Sequence, residues 1–319
     1  MSARTGIDLG TGAVKLVRGE GRLRLERITH LEIEDWGPVD AGDAAARAAG
    51  ALGRILSRLG GARRRLGKIA VGVGGEESGI REVQLPLLTE DEVRRALPFE
   101  SRKHLTLEDM VSPTVAFQVL GTAQADEEGG AMQTRVLLAA VSAPQREFPL
   151  RVLSDHGLTP EVIDLEPLAN LNALLGTLPE GDLTDRVVGV LDLGAQQAGL
   201  YVTQQDGRIV TRVVGPGVPE ARAAVASYIE GLTRRIQETL TFYRGRYRRD
   251  VTSLHVAGGG ALLDGICHAL QSALSLPVSA LNPLQGIGLP AAAGDELARQ
   301  GPRFATACGL CRWWDGTHV

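Results

Sequence analysis

Two short segments of this chain repeat each other 184 positions apart, and that repeat constrains the fold more than any other feature. Ile7-Asp8-Leu9-Gly10 lies over Leu191-Asp192-Leu193-Gly194. Each copy is preceded by apolar residues and followed by a turn and a second apolar segment, in which Leu16 aligns with Leu200 and Val17 with Tyr201. Each second segment then passes through a glycine-centred turn, at Gly19 and Gly21 in one copy and Gly207 in the other, to a third segment. A strand, an Asp-x-Gly turn and two further strands, written twice, mark an internal duplication. Two related lobes facing one another are the expected consequence.

Around the repeats, strand-like and helix-like segments alternate, which argues an α/β fold. Residues 5–9, 13–19 and 23–33 read as strands, 41–60 as an amphipathic helix with Ile55, Leu56 and Leu59 on one stripe, and 69–73 as a buried strand. The stretch from about 83 to 160 reads as a separate module. In it, Thr89 and Glu92 form a capping box that starts a helix over 90–96. Pro98, which lacks the interior donor, is expected to bend or restart that helix. Strands at 115–120 and 134–141 flank a polar loop at 122–133, and a helix over 145–157 stops at Gly157, ahead of Pro160. The second alternating pattern runs from 186 to 214. It is followed by a helix at 219–247, a strand at 251–257, a helix at 261–275 and a closing helix at 304–312. The expected division is a first lobe of 1–83, 161–182 and 303–319, an insert at 84–160, a second lobe of 183–217 and 251–302, and a small subdomain at 218–250.

Composition narrows the function classes. Glycine supplies 40 of 319 residues, nearly twice the usual share of roughly 7%. It keeps no three-residue period, which excludes collagen, and 44% hydrophobic residues exclude disorder. Aromatics make up only 4%, so the core must be built from Val, Leu, Ile and Ala. A net charge of −4 gives no overall pull towards nucleic acid or anionic membranes. Three cysteines are too few for a disulfide scaffold and suit a reducing cytoplasm. Cys308 and Cys311 form a lone C-x-x-C without the second pair a zinc site needs, and read as small buried helix residues. The N-terminus lacks the basic and apolar regions of a secretory signal. No apolar run reaches the length of about 18 residues that a spanning helix requires.

An Asp at the end of a strand, followed by Gly, sets a carboxylate beside exposed backbone N–H groups. Two such hairpins face to face can grip phosphates, while Asp8 and Asp192 hold a hydrated divalent cation through oxygen. Gly10-Thr11-Gly12 matches neither dinucleotide nor P-loop spacing. Lys15 either reaches a phosphate or points to solvent from its strand. A third cluster, Gly258-Gly259-Gly260, follows a strand and opens a helix; alone it reads as a tight turn, and beside the two Asp loops it reads as a close approach to a nucleotide. Gly194 and Gly199 in the second hairpin are assigned the same backbone approach.

In this order, Asp8-x-Gly10, Asp192-x-Gly194 and Gly258–Gly260 resemble the phosphate-1, phosphate-2 and adenosine motifs of the actin, Hsp70 and sugar-kinase superfamily. Asp164-Leu-Glu166-Pro167-Leu-Ala169 resembles its first connecting helix, where an acidic or amide group positions the attacking water. Phe304-Ala-Thr-Ala-Cys-Gly309 resembles its second, where a small residue allows close helix packing. Within the superfamily the chain is similar to the PilM family of type IV pilus assembly. The similarity rests on Arg81-Glu-Val-Gln-Leu-Pro86, Glu92-Val-Arg-Arg-Ala-Leu-Pro-Phe-Glu100, Val162–Ala169, Arg234-Arg-Ile-Gln-Glu-Thr-Leu-Thr-Phe242 and the stretch from Leu276 to Pro283.

The resemblance implies a two-lobed actin-like (duplicated ribonuclease H-like) fold with an FtsA-like inserted subdomain. It implies ATP and Mg2+ held by Asp8, Gly10, Thr11, Gly12, Lys15, Asp192, Gly194, Gln196, Gly258, Gly259 and Gly260, with Glu166 as the catalytic candidate. Glu166 is equally explained as a helix-start carboxylate stabilised by the dipole. The family's phosphate-2 loop carries Ser or Thr, whereas this chain has Ala195-Gln196-Gln197-Ala198, a departure that argues for weak hydrolysis at most. The implied partners are the cytoplasmic N-terminal tail of a PilN-like membrane protein, other pilus proteins including the motor ATPases, and a second copy of the chain. The implied location is the cytoplasm, peripheral to the inner membrane through that partner, with roles in motility and secretion. The cytoplasmic domain of a GspL-like type II secretion protein and a small-molecule kinase of the same superfamily are the alternative readings.

Other patches carry less. Phe242-Tyr-Arg-Gly-Arg-Tyr-Arg-Arg249 mixes aromatics with arginines but sits at a helix C-terminus, where cations complement the dipole; a solvated helix end is the reading preferred over nucleic acid. Arg63-Arg64-Arg65 reads as a surface corner. The six histidines show no ligand spacing.

Overall fold

The computed structural model describes residues 2–21, 24–36, 43–75, 77–124, 130–179, 183–217, 225–290 and 293–313. The tip of the expected 122–133 loop, the first residues of the 219–247 helix and residues 314–319 lie outside these.

The repeat in the sequence becomes a repeat of sheets. Strands β1 (Ser2–Leu9), β2 (Ala13–Gly21) and β3 (Arg27–Asp35) form an antiparallel meander, and β4 (Lys68–Val73) and β8 (Val162–Leu165) add to β1 in parallel. In the second lobe β9 (Val187–Leu193), β10 (Gln197–Gln204) and β11 (Ile209–Pro216) form the meander, with β12 (Ser253–Ala257) and β13 (Val278–Ala280) parallel to β9. The orders β3-β2-β1-β4-β8 and β11-β10-β9-β12-β13 are therefore the same sheet built twice. The irregularities differ: the second and third strands slip register late in β2, at Arg18/Gly19, but at the start of β10, at Ala198/Gly199.

Strand periodicity decides which way each repeat residue points. Ile7 and Leu9 pack outward against helix α1 (Ala44–Leu59) and helix α3 (Ala143–Ser154). Leu191 and Leu193 pack outward against α5 (Val225–Tyr247) and α6 (Ile266–Leu274). Gly6 and Asp8, and Val190 and Asp192, must then face inward. Between the two sheets lie α4 (Glu166–Leu175) and α8 (Ala305–Cys311), which pack on each other and on opposite sheets. Their contact is close because Gly309 has no side chain; a Cβ there would lie 1.7 Å from the Ala169 carbonyl oxygen. Cys308 and Cys311 are buried in this layer, and burial raises the Cys308 thiol pKa.

The inserted module is a three-stranded sheet, β5-β7-β6, from β5 (Ser78–Pro86), β6 (Thr114–Gln124) and β7 (Met132–Val141). Helix α2 (Glu90–His104) covers one face, where Val136, Leu138 and Ala140 meet Val93. Leu137 and Val141 on the other face join a core shared with α4 and the second lobe. The capping box forms as expected, with the Thr89 side chain accepting from the Glu92 backbone and Glu92 accepting from the Thr89 N–H at 2.8 Å. Pro98 does not restart the helix, which runs through it to His104. The expected 261–275 helix is shortened: a 3-10 turn covers Gly259–Leu262, and α6 begins only after Gly265 in the left-handed conformation. Strands β5 and β8 lie in stretches whose sequence shows no clean alternation. Helix α7 (Gly294–Arg299) precedes α8. Among the described residues no helix is long and apolar enough to cross a membrane.

Candidate functional site

The inward-pointing aspartates stand at the carboxyl ends of the two central strands, where open α/β sheets leave a crevice. Asp8 is almost fully buried, and the Lys15 ammonium donates to its Oδ2 at 2.9 Å. Lys15 is its cross-strand neighbour on β2 and points into the cleft rather than to solvent. Glycine at position 10 leaves room for that ion pair, since a Cβ there would meet the Lys15 Nζ at 2.6 Å. Thr11 is exposed at the turn. Trp36 closes the loop from behind: its indole N–H donates to the Gly10 carbonyl at 2.9 Å and its backbone N–H to that of Gly12 at 3.2 Å.

The two hairpins meet. A Cβ on Gly12 would lie 3.1 Å from the Ala195 Cβ of the second loop. That loop is tied down by backbone bonds from Gly194 N–H to the Gln197 carbonyl (3.0 Å) and from Gly217 N–H to the Gln196 carbonyl (2.9 Å). The Gln196 side chain is exposed. Gly258 has φ +79, and a Cβ there would be 2.6 Å from Asp192 Oδ1, so the third glycine cluster lies against the second aspartate. Gly259 faces open space and Gly260 is buried. Gly199 has another job: it makes room for the Tyr201 hydroxyl, which a Cβ would meet at 2.2 Å.

Glu166 opens α4 from the end of β8 and brings a third carboxylate to the same crevice. Its side chain lies over the end of β4, where a Cβ on Gly74 would strike its Oε2 at 2.3 Å. Burial, together with the Asp8 and Asp192 charges, pushes the Glu166 pKa up to about 8 against the relief offered by Lys15. Asp192 is raised to about 6 by burial and by Asp8, with Lys15 and Asn170 pulling the other way. Burial, with the Asp192 and Glu166 charges, holds the Tyr201 phenol well above its ordinary value. Three carboxylates share one ammonium, an excess of negative charge in a low-dielectric place.

Oxygen donors with surplus negative charge suit a hard divalent cation. Among the described residues, no three His, Cys, Asp or Glu side chains stand close enough to coordinate a metal together. Asp8 and Asp192 would therefore need water or ligand oxygens to complete the coordination of such a cation.

Sequence reasoning passed over Asn170, Trp36, Gly74 and Thr306. The Asn170 amide donates to the Glu166 carbonyl (3.1 Å), Thr306 Oγ1 (3.2 Å) and Asp192 Oδ2 (3.4 Å), joining both central helices to the second aspartate. Its signal is available: Asn170 and Asn172 are the two polar residues within Leu168–Leu175, a run that is otherwise Leu and Ala. Gly74 stands in Val73-Gly74-Gly75, a strand end that reads as an ordinary turn.

Comparison with known proteins follows the same lines. A family model described as Type IV pilus assembly protein PilM matches residues 220–312. The solved PilM-PilN type IV pilus biogenesis complex is similar to this chain with a TM-score of 0.78 at 23% identity, covering 97% of each chain. The ethanolamine utilization protein EutJ from Carboxydothermus hydrogenoformans is similar with a TM-score of 0.52 at 14% identity, covering 98% of this chain and 90% of EutJ. A diol dehydratase-reactivating factor in nucleotide-free form gives 0.53 at 10% identity, covering 99% of this chain and 100% of that one. No curated protein matches significantly. The fold is actin-like, and the PilM family match at residues 220–312 bears out the resemblance read from the sequence.

Proposed function

We propose that this protein is a nucleotide-binding scaffold of a type IV pilus inner-membrane assembly complex, and that it holds the cytoplasmic N-terminal tail of a PilN-like membrane protein. The observation that carries the nucleotide half is the meeting of the two Asp-x-Gly hairpins, with Gly12 against Ala195 and Asp8, Asp192 and Glu166 around one crevice. ATP lies between the lobes, its phosphates on the backbone of Gly10–Gly12 and Gly194–Gln196, and its adenosine on Gly258–Gly260. Lys15 offers a positive charge to the phosphates once it leaves Asp8. Asp8 and Asp192 hold hydrated Mg2+, which when bound neutralises phosphate charge. In the cation-free site, burial and the Asp8 and Asp192 charges favour the protonated form of Glu166, which is not a base for water. Together with the exposed Gln196, this favours slow hydrolysis or none. The partner half is supported by the likeness to the PilM–PilN complex; a protein in this role sits on the cytoplasmic side of the inner membrane through its partner. Contacts with other pilus components, motor ATPases included, follow from the same scaffold role.

Calorimetric titration with Mg-ATP tests the site: the wild type binds, whereas Asp8→Ala and Asp192→Ala bind at least about tenfold more weakly. Equal affinity in all three proteins sinks the site. Pull-down with a PilN-like N-terminal peptide tests the partner separately, and failure to retain it removes that half alone.

A further inference from the structure

A groove of about 530 Å³ lies between the inserted sheet and the second lobe, away from the crevice described above. Four consecutive residues of β5, Arg81 to Gln84, line one wall, with Arg212 of β11 and Phe242 and Arg246 of α5 on the other. Consecutive strand residues point to opposite faces, so a groove lined by all four runs along the strand's edge. β5 is an edge strand, bonded only to β7, and β11 is the edge strand of the other sheet. Among the described residues, no backbone bond reaches the free edge of β5 at 81–84.

The charges in this groove are unbalanced. Among the described residues, the only acid lining it is Glu82, whose side chain is buried and committed to Arg135 at 2.8 Å. Arg212 stacks on the half-exposed Phe242 at 4.5 Å and Arg246 on Tyr247 at 5.5 Å. Among the described residues, neither of these nor Arg81 has a carboxylate partner. In a chain of net charge −4, three unpaired guanidinium groups around one slot depart from the average surface. Stacking fixes two of them in place and lowers the ordering cost of binding an anion. A duplex does not fit a slot of this size, and the arginines do not extend into the broad basic face that nucleic acid requires.

The geometry points to a docking groove for an acidic, extended peptide of a partner protein, which adds as a strand to the free edge of β5 and places its carboxylates on Arg81, Arg212 and Arg246. The assignment gives the arginine- and aromatic-rich end of α5 a task beyond capping its helix. It is independent of nucleotide binding.

Fluorescence anisotropy with a fluorescein-labelled Val-Glu-Val-Glu-Val-Glu-Val peptide tests it on the full chain. The wild type binds, and Arg212→Glu/Arg246→Glu weakens binding by about tenfold or more. The milder Arg212→Gln/Arg246→Gln weakens it less, and Arg63→Glu/Arg64→Glu, the same charge change on the first lobe, leaves it unchanged. Melting curves establish that each variant is folded. A peptide N-methylated at alternate residues, which cannot pair along an edge, binds poorly. The proposal is overturned by no binding, by equal losses in both reversal variants, by full binding of the N-methylated peptide, or by displacement with a thymidine oligonucleotide of equal charge, which would make the groove a nucleic-acid site.

Discussion

At the scale of single residues, the inner layer is governed by what burial does to carboxyl groups. Asp164, at the end of β8, is pushed up to about 7 from 3.8 by desolvation, opposed by the Leu165 backbone N–H that donates to its Oδ1 at 2.8 Å. Its Oδ2 has no hydrogen-bond partner among the described residues. The folded protein therefore keeps this proton over a range in which the unfolded chain has lost it. Stability from such a group is fully present below 3.8 and is lost as pH rises towards 7. Glu166 adds a loss of the same sign up to about 8. Melting temperature should thus fall as pH rises from 4 to 7, and Asp164→Asn, which keeps the shape and removes the titration, should flatten that slope. A variant slope as steep as the wild type's would refute the assignment. Asn170 belongs to the same scale. Replacing it by Ala leaves Asp192 and Thr306 without its amide, and should cost about 1–3 kcal/mol in denaturant unfolding.

At the scale of elements, glycine separates into positions that are required and positions that are not. Gly309 sits where α8 meets α4, with a Cβ position 1.7 Å from the Ala169 carbonyl oxygen, and backbone cannot yield as a side-chain end does. Gly309→Leu should destabilise the fold by ~3 kcal/mol or more and displace Asn170 and Glu166 with α4. Gly231, inside α5, has nothing within 4 Å of its Cβ position, and Gly231→Ala should stabilise by ~0.5–1 kcal/mol. Thermal melts of the two variants moving in the same direction would contradict this division. The contrast shows what sequence could convey. The meanders at Asp8 and Asp192 were legible because antiparallel strands joined by short turns write their period locally. Strand β8 was not, because its four residues pair in parallel with β4 across nearly a hundred positions, and nothing nearby marks it. Helix α6 is shorter than its sequence suggests because Gly258–Gly260 looks like a helix entry, while the left-handed Gly265 that sets the real start looks like any other glycine. For Lys15, strand alternation fixes the face but not what that face meets, so sequence alone does not choose between phosphate and solvent. Asn170 and Gly74 escaped because their value comes from the opposite lobe and a neighbouring strand.

At the scale of the whole molecule, the question is what fixes the inserted sheet against the second lobe, since that contact forms the wall beside the proposed docking groove. The apolar share comes from Leu137 and Val141, which join Val188, Val190 and Tyr201 in one core. The polar share includes a buried unit. Arg135 on β7 bonds Glu82 on β5 through Nε at 2.8 Å and the Asp206 carbonyl of the second lobe through Nη1 at 2.7 Å. Both side chains are less than a tenth exposed. Desolvating two charges roughly cancels the attraction between them, so the intact pair adds little stability over an apolar pair of similar size. Removing one partner is different, because it strands a buried charge. Arg135→Met should therefore destabilise by ~3–5 kcal/mol, with Glu82 left unpaired against the second lobe. Adding Glu82→Leu should recover most of that loss, although the double variant still lacks the bond to Asp206. A double-mutant cycle by denaturant unfolding measures the coupling directly. If the double variant stays as unstable as Arg135→Met alone, the bond to the Asp206 carbonyl, rather than the ion pair, is what locks insert to lobe. If Arg135→Met costs nothing, the apolar core alone holds the sheet, and the wall of the groove is set by packing.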